Sequence, residues 1–176
     1  EFSGLDVLVC ANLPYYITSP VIMKLLEEKL PVESLTVMVQ KEAAVRICAA
    51  PGTRACGAVS VAVQYYSQPQ ILFDVPRDCF FPAPNVDSAV IRLNIRTEPP
   101  VKLETEEKQF FKLVKAAFGQ RRKTVLNSLS TGLGKSKEEL SAALQQAGIA
   151  PTARAEQLTM EQFGTLCNLL FPNKAQ

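Results

Sequence analysis

The first half of the chain alternates short apolar runs with amphipathic stretches, which is the pattern of an α/β fold. Residues 5–11 are almost continuously apolar and are typical of a strand buried in a parallel sheet. Ser19 and Pro20 then supply a predicted helix N-cap and first helical residue, and an amphipathic run follows. The tetrapeptide 12–15 is therefore expected at the carboxyl end of a parallel strand, where open α/β sheets bind their ligands.

The apolar pattern predicts four further strands before residue 97, one of them at a stretch where a helix is also considered below. Residues 35–39 are predicted to form a second parallel strand, connected to the first by the helix. Residues 41–50 are predicted as a short helix. Residues 71–75 and 88–95 are predicted to pair as a hairpin. Residues 58–66 alternate and are rich in β-branched side chains, so the pattern alone predicts a strand there as well.

After the linker at residues 97–100, every apolar pattern has the period of a helix. An apolar stripe from Phe110 to Phe118 predicts one helix, and a second is predicted from Arg122 to Leu129. Two more are predicted to begin with capping boxes, formed by Ser136 with Glu139 and by Thr159 with Gln162. We therefore expect two domains, residues 1–97 and residues 98–176.

Composition narrows the class of protein. No apolar run approaches the roughly 20 residues that a membrane span requires, so no membrane association is predicted. The five cysteines are odd in number and lack C-x-x-C spacing, which indicates reduced, buried thiols in a cytoplasmic protein. The chain has no histidine, which argues against a zinc site and excludes a nucleophile paired with histidine. No metal cofactor is expected.

Positive charge is concentrated in the second half. Residues 1–97 carry eight Lys and Arg against nine Asp and Glu, whereas residues 98–176 carry eleven against eight. The stretch 108–137 contains eight basic residues and no acidic one. Such local density indicates a polyanionic partner. Lys115 and the triplet Arg121–Lys123 are the candidate contacts, although a basic triplet can also be a solvated helix end.

The stretch Asn12-Leu13-Pro14-Tyr15 suits transfer of a group to an exocyclic amine. The lone pair of adenine N6 is delocalised into the ring, so two acceptors aimed at its N–H bonds would localise that pair. The Asn12 side chain and the backbone carbonyl of Leu13 or Pro14 can be these acceptors. Tyr15 offers an aromatic face for a base taken out of its stack. The alternative is a structural strand-to-helix turn that contains a proline.

Four stretches in order carry a resemblance to a known family. They are Asn12-Leu13-Pro14-Tyr15, Gln40-Lys41-Glu42, the run from Phe80 to Val90 (FFPAPNVDSAV), and the run from Phe118 to Thr124 (FGQRRKT). Together they resemble the KsgA type of small-subunit ribosomal RNA adenine dimethyltransferases, over nearly the whole chain. The resemblance implies a helix at residues 58–66, whereas the alternating pattern predicts a strand. We follow the resemblance and predict a helix there.

The resemblance implies a Rossmann-like domain that uses S-adenosylmethionine and a small all-α domain. The implied reaction is N6,N6-dimethylation of adjacent adenosines in the 3′-terminal hairpin loop of small-subunit (16S) ribosomal RNA, with a role in subunit biogenesis. The implied partners are this RNA and the immature small subunit, and the full-length protein is expected to be monomeric.

The resemblance also assigns residues. Asn12 is expected to contact the cofactor. Phe80 is expected to form a second wall for the base, unless it is a core phenylalanine, and Phe81 occupies a variable position. Arg121, Arg122 and Lys123 are expected to contact RNA phosphates.

In this family the glycine turn and the acids that hold the cofactor precede the Asn-Leu-Pro-Tyr motif. We therefore interpret the chain as the second half of a catalytic domain followed by a C-terminal helical domain, inactive on its own. Two other functions stay open: a large-subunit ribosomal RNA adenine methyltransferase of the macrolide-resistance type, and a non-catalytic assembly factor or transcription-factor relative with the same fold.

Overall fold

A computed structural model describes residues 6–172, in which strands and helices alternate first and helices follow. The strands are β1 (Val7–Asn12), β2 (Val32–Gln40), β3 (Ser67–Val75) and β4 (Ser88–Ile95). The helices are α1 (Thr18–Glu27), α2 (Lys41–Ile47), α3 (Ala58–Tyr66), α4 (Glu107–Ala117), α5 (Val125–Leu133), α6 (Lys137–Gln146) and α7 (Met160–Leu170). Short 3₁₀ turns lie at Tyr15–Ile17, Arg77–Cys79 and Ala155–Gln157.

The four strands form one mixed sheet in the order β1-β2-β4-β3. β1 runs parallel to β2, whereas β4 is antiparallel to both of its neighbours. The predicted βαβ unit and the predicted pairing of the last two strands are therefore confirmed. In the register, Ser88 lies opposite both Gln40 and Val75, and Asn12 lies opposite Met38. The carboxyl ends of β1, β2 and β3 consequently meet the start of β4 at one edge of the sheet.

β1 is a strand, but the prediction that it is buried was wrong. Its residues alternate between half-buried and exposed, and Leu8 is 61% exposed. Within residues 6–172, β1 pairs only with β2 and lies at the end of the sheet. An apolar run specifies a strand well, but whether both of its faces are covered depends on neighbours that the run does not specify.

The prediction of Ser19 as the N-cap of the first helix was also wrong, because α1 begins at Thr18, two residues before the predicted first helical residue Pro20, and its N-cap is Ile17. A 3₁₀ turn leads into the helix, and the Pro14 carbonyl accepts hydrogen bonds from the Ile17 amide (3.1 Å) and the Thr18 hydroxyl (3.3 Å). The turn supplies a hydrogen-bond acceptor at the start of the helix, where the first backbone amides have no partner within the helix and a side-chain cap is often used.

Residues 58–66 form helix α3, so the resemblance was right and the alternating pattern was misleading. The consecutive residues Val61, Ala62 and Val63 are all buried, at 0%, 4% and 0% exposure. A strand with one wet face would expose every second residue, whereas a helix surrounded by apolar groups shows no simple period.

The described chain divides into two compact units. The sheet unit comprises the residues up to Ala49 together with Ala62–Glu98, and the helical unit comprises Ala50–Val61 and the described residues from Pro99 onwards. In the sheet unit, α2 packs against β2, β3 and β4. In the helical unit, Phe163 is fully buried and stacks on Phe118, with ring centroids 6.0 Å apart. That residues 1–97 and residues 98–176 are two separate domains stays a prediction.

One helix start and one capping box in the helical unit differ from the prediction. α5 begins at Val125, not Arg122, because the Thr124 side chain caps it by accepting from the Asn127 amide. Ser136 caps α6 as predicted, but the Glu139 carboxylate pairs with Lys135 instead of completing a capping box. The capping box of Thr159 and Gln162 at α7 is confirmed.

Candidate functional site

Three of the four stretches singled out in the sequence lie at the same edge of the sheet. Asn12 ends β1, Lys41 begins α2 directly after β2, and Asp87 precedes β4. The Lys41 amide donates a hydrogen bond to the Asp87 carbonyl (3.0 Å), which ties the second stretch to the third. The edge therefore collects loops from distant parts of the chain.

The loop after β1 presents Asn12 to solvent and leaves one backbone carbonyl for a ligand. The Leu13 amide donates to the Met38 carbonyl (3.3 Å), which holds the loop against β2. The Pro14 carbonyl already accepts from two donors, and a carbonyl oxygen has two lone pairs. Of the two carbonyls that the sequence left open, that of Leu13 is thus the better acceptor for an amine.

Tyr15 is held by a residue to which the sequence analysis gave no role. Its hydroxyl lies 2.8 Å from the Ser88 hydroxyl, across a sequence separation of 73 residues. Ser88 is fully buried, whereas Tyr15 is 37% exposed. The bond fixes one end of the tyrosine and leaves part of the ring accessible. Ser88 lies inside a recognised motif, but nothing local in the sequence indicates its partner.

The loop between β3 and β4 carries the second candidate aromatic. Asp87 organises this loop by accepting from the Arg77 amide (3.0 Å), and the Arg77 guanidinium donates to the Asn85 carbonyl (3.2 Å). Phe80 is half-buried, whereas the side chain of Phe81 is fully exposed. The half-buried position of Phe80 is compatible with either a wall for a base or a packing role, so its assignment stays a prediction.

A single ion pair joins the start of α2 to β3. The Lys41 ammonium lies 2.7 Å from the Asp74 carboxylate, and both side chains are about half exposed. This hydrogen bond and the charge of Asp74 raise the pKa of the Lys41 amine above its ordinary value, so Lys41 is a cation at neutral pH. The sequence analysis missed Asp74, which is 33 residues away along the chain.

The candidate RNA contacts lie in the helical unit. Lys115 is on α4, and the triplet Arg121–Lys123 forms the turn before α5, not its first helical residues. All four side chains are exposed, and none has an acidic partner within residues 6–172. They are free to contact an anion.

Neither a metal site nor a membrane-spanning helix is present among residues 6–172. Among them, no cluster of three or more His, Cys, Asp or Glu side chains is placed to hold a metal ion. No helix in the described part of the chain has the length and apolar character to cross a membrane.

Comparisons with known proteins agree on one family. Residues 4–171 match the family model described as ribosomal RNA adenine dimethylase. The chain is 52% identical over 174 residues to a protein of Geobacillus sp. (strain WCH70) named ribosomal RNA small subunit methyltransferase A, covering 97% of this chain and 60% of that protein. It is 55% identical over 171 residues to the protein of the same name from Alkaliphilus oremlandii, covering 97% and 59%. The chain thus spans about three fifths of the length of these relatives.

Two solved structures have a similar fold. A dimethyladenosine transferase from Plasmodium falciparum superposes with a TM-score of 0.71 and 25% identity, over 94% of this chain and 66% of that one. The 23S rRNA methyltransferase ErmE superposes with a TM-score of 0.64 and 24% identity, over 97% and 69%. The likeness to the second is evidence for the fold alone.

Proposed function

Because this chain belongs to the ribosomal RNA adenine dimethylase family, we propose that it carries the part of an enzyme that binds the target adenine. The proposed reaction is N6,N6-dimethylation of adjacent adenosines in the 3′-terminal hairpin loop of small-subunit ribosomal RNA, with S-adenosylmethionine as methyl donor. The names of the relatives from Geobacillus and Alkaliphilus support the choice of the small subunit.

The proposed architecture is the second half of a Rossmann-like methyltransferase domain followed by a small all-α domain. The mixed sheet and the two structural neighbours support the first part. The described elements after Pro99 are helices and short helical turns, which supports the second. The sequence contains no glycine-rich turn after a strand, of the kind that holds the cofactor in this family. For that reason we predict that residues 1–176 alone are inactive.

The observation that carries the proposal is the fixed loop at Asn12–Tyr15. The Asn12 side-chain oxygen and the Leu13 carbonyl would accept the two N6–H bonds, which directs the nitrogen lone pair away from the ring. Tyr15 and Phe80 would stack on the flipped base. When bound, S-adenosylmethionine supplies an electrophilic methyl group. Asn12, exposed at the end of β1, would contact both the base and the cofactor.

In this reaction the proposed role of the chain is to hold the target amine in position with hydrogen-bond acceptors, without a side chain that acts as a general base. Preorganised acceptors stabilise the charge that develops on the amine as it attacks, because they need no rearrangement during the step. Leu13 is fixed through Met38 and Tyr15 through Ser88, so the loop has the required stiffness before any base arrives.

Lys115 and the triplet Arg121–Lys123 are proposed to contact phosphates of ribosomal RNA within an immature small subunit in the cytoplasm. Their exposure and the lack of acidic residues in the stretch 108–137 support this role. Such contacts position the RNA and give binding a steep dependence on salt.

The test is methyl transfer from labelled S-adenosylmethionine by the full-length protein to immature small subunits, followed by mapping of the modified bases. We expect two methyl groups on each of two adjacent adenosines near the 3′ end of the small-subunit RNA. Modification of large-subunit RNA instead would favour the macrolide-resistance type of enzyme. A folded protein that binds subunits without transferring methyl groups would favour an assembly factor.

A further inference from the structure

A groove of about 320 Å³ lies between helices α4 and α5 of the helical unit. It is close to the lower limit of small-molecule pockets and therefore suits about one nucleotide. Lys112 and Lys115 line it from α4, and Ser128 and Thr131 line it from α5. Lys112 belongs to the acid-free basic stretch 108–137, whereas no pattern in the sequence marks Ser128, Thr131 or the groove itself.

Small residues at the crossing of the two helices create the groove. A Cβ atom added to Gly132 would lie 2.7 Å from the Cβ atom of Ala116, so the helices approach more closely there than any side chain would allow. Gly119, at the end of α4, leaves further space. The close crossing forms a floor of small residues, and the longer side chains form the walls.

One wall supplies positive charge. Lys112 and Lys115 are three residues apart, so they project from the same side of α4. Both are exposed, and neither has an acidic partner among residues 6–172. Their ammonium groups are therefore available to an anionic oxygen, such as that of a phosphate.

The other wall supplies an acceptor. The Thr131 hydroxyl donates its proton to the Asn127 carbonyl (3.1 Å), and the Ser128 hydroxyl donates to the Gln120 carbonyl (3.4 Å). Ser128 is buried, whereas Thr131 is exposed, so with its proton engaged the Thr131 oxygen offers lone pairs to a ligand. A ribose 2′-hydroxyl can donate to such an oxygen, whereas deoxyribose has no group that can.

We propose that this groove binds one nucleotide of a single-stranded RNA segment, with its phosphate on Lys112 and Lys115 and its 2′-hydroxyl donating to Thr131. The proposal rests on the proposed function in taking RNA as the ligand, and it adds a site that distinguishes ribose from deoxyribose. It is independent of the chemistry at Asn12.

The first test compares a short, fluorescently labelled oligoadenylate with its deoxy counterpart, by anisotropy on the full-length protein. We expect the ribose form to bind more tightly by about two- to tenfold, the contribution of one hydrogen bond. Thr131→Val keeps the shape but removes the acceptor, so it should abolish this preference without weakening deoxy binding. A preference that survives in Thr131→Val overturns the proposal.

The second test compares pairs of lysines. Lys112→Ala with Lys115→Ala removes the contact to one phosphate, so it should reduce the slope of log affinity against log salt by about 0.7 on single-stranded RNA. The matched control is Lys108→Ala with Lys137→Ala, which removes the same charge from the same acid-free stretch but outside the groove. An equal reduction of the salt slope in the two double variants would mean that the RNA is attracted by the overall positive charge of the stretch. That result would overturn the groove as a binding site.

These outcomes are separable from failure of the proposed function. If methyl transfer to subunits fails while the groove variants behave as expected, the groove binds RNA in a protein with another role. If methyl transfer succeeds while Thr131→Val and the lysine pairs show no specific effect, the groove proposal alone is wrong. The four lysines that are replaced are exposed, so the melting temperature of both lysine double variants is expected to be unchanged.

Discussion

Polar side chains at the sheet edge and the basic triplet of the helical unit differ in whether they have partners. At the edge, Tyr15 is bonded to Ser88, Lys41 to Asp74 and Arg77 to Asp87. In the helical unit, the triplet Arg121–Lys123 is exposed and has no acidic partner among the described residues.

This contrast matches what the two proposed tasks require. A reaction at one nitrogen atom needs acceptors fixed before the substrate arrives, since reorganisation during the step adds to the barrier. A phosphate backbone needs positive charge along a surface and tolerates movement of the side chains that supply it. Substitutions at the edge should therefore change rates, whereas those in the helical unit should change affinity and its dependence on salt.

The largest effect is expected from Asn12→Ala in the full-length protein. Losing one of the two proposed acceptors for the N6–H bonds should lower kcat for methyl transfer by about a hundred- to a thousandfold. Binding of the RNA, measured separately, should be unchanged. The control is Asn94→Ala, since Asn94 lies opposite Ser34 and Gln68, towards the other end of the sheet. An Asn12 variant that binds RNA poorly and turns over normally would reverse the comparison.

The next largest effect is expected at Tyr15. Tyr15→Ala should lose a stacking contact of roughly 1 to 3 kcal/mol, or about ten- to a hundredfold in kcat/KM. Tyr15→Phe keeps the ring and should retain most of the activity. Because it leaves the buried Ser88 hydroxyl without its partner, it should also lower the melting temperature.

Ser88→Ala separates stacking from positioning. Combined with Tyr15→Phe, it should cost less stability than the sum of the two single variants, since both remove the same bond. A Phe variant as impaired in methyl transfer as the Ala variant would show that the hydroxyl, not the ring face, matters.

In the helical unit, replacing Arg121, Arg122 and Lys123 by Ala should weaken RNA binding. Each lost phosphate contact should reduce the slope of log affinity against log salt by about 0.7 to 0.9. Affinity for S-adenosylmethionine should stay the same. Lys24→Ala with Arg92→Ala, two exposed cations of the sheet unit, is the control and should leave the slope nearly unchanged. An unaltered slope in the triple variant would mean that the triplet is only a solvated turn.

The smallest expected effect is a difference in the reactivity of the cysteine thiols, which depends on how deeply each thiol is buried in its unit. Burial raises the pKa of Cys56 and Cys167 in the helical unit, and of Cys48, to about 11. Cys10 and Cys79 of the sheet unit are exposed, so the prediction that the cysteines are buried was wrong for these two. At about pH 8 roughly one thousandth of each thiol with the raised pKa would be thiolate, so a thiol reagent should modify only Cys10 and Cys79. Mass spectrometry of the labelled protein checks this, and rapid labelling of Cys167 would contradict it.

The same shift has a consequence for stability. Because the folded-state pKa of these thiols lies above the ordinary value of 9.0, their burial favours the folded protein fully below about pH 9. That contribution is lost as the pH rises towards 11. Melting temperature measured across this range should therefore fall with increasing pH.

The sequence by itself determined the class of fold, most of the elements and the family. Apolar runs located the four strands, and β4 matches its prediction residue for residue, Ser88–Ile95. Four motifs in order identified the family that the comparisons then showed. These features are local or linear along the chain, so periodicity and residue order are sufficient to read them.

Only the tertiary structure decided which groups pair. It joined Tyr15 to Ser88 across 73 residues and engaged the Pro14 carbonyl, which favours that of Leu13 as the acceptor. It also formed the groove where Gly132 meets Ala116. A hydrogen bond between distant strands and a close crossing of helices depend on register and approach in space. Neither has a period along the chain, so no local pattern predicts it.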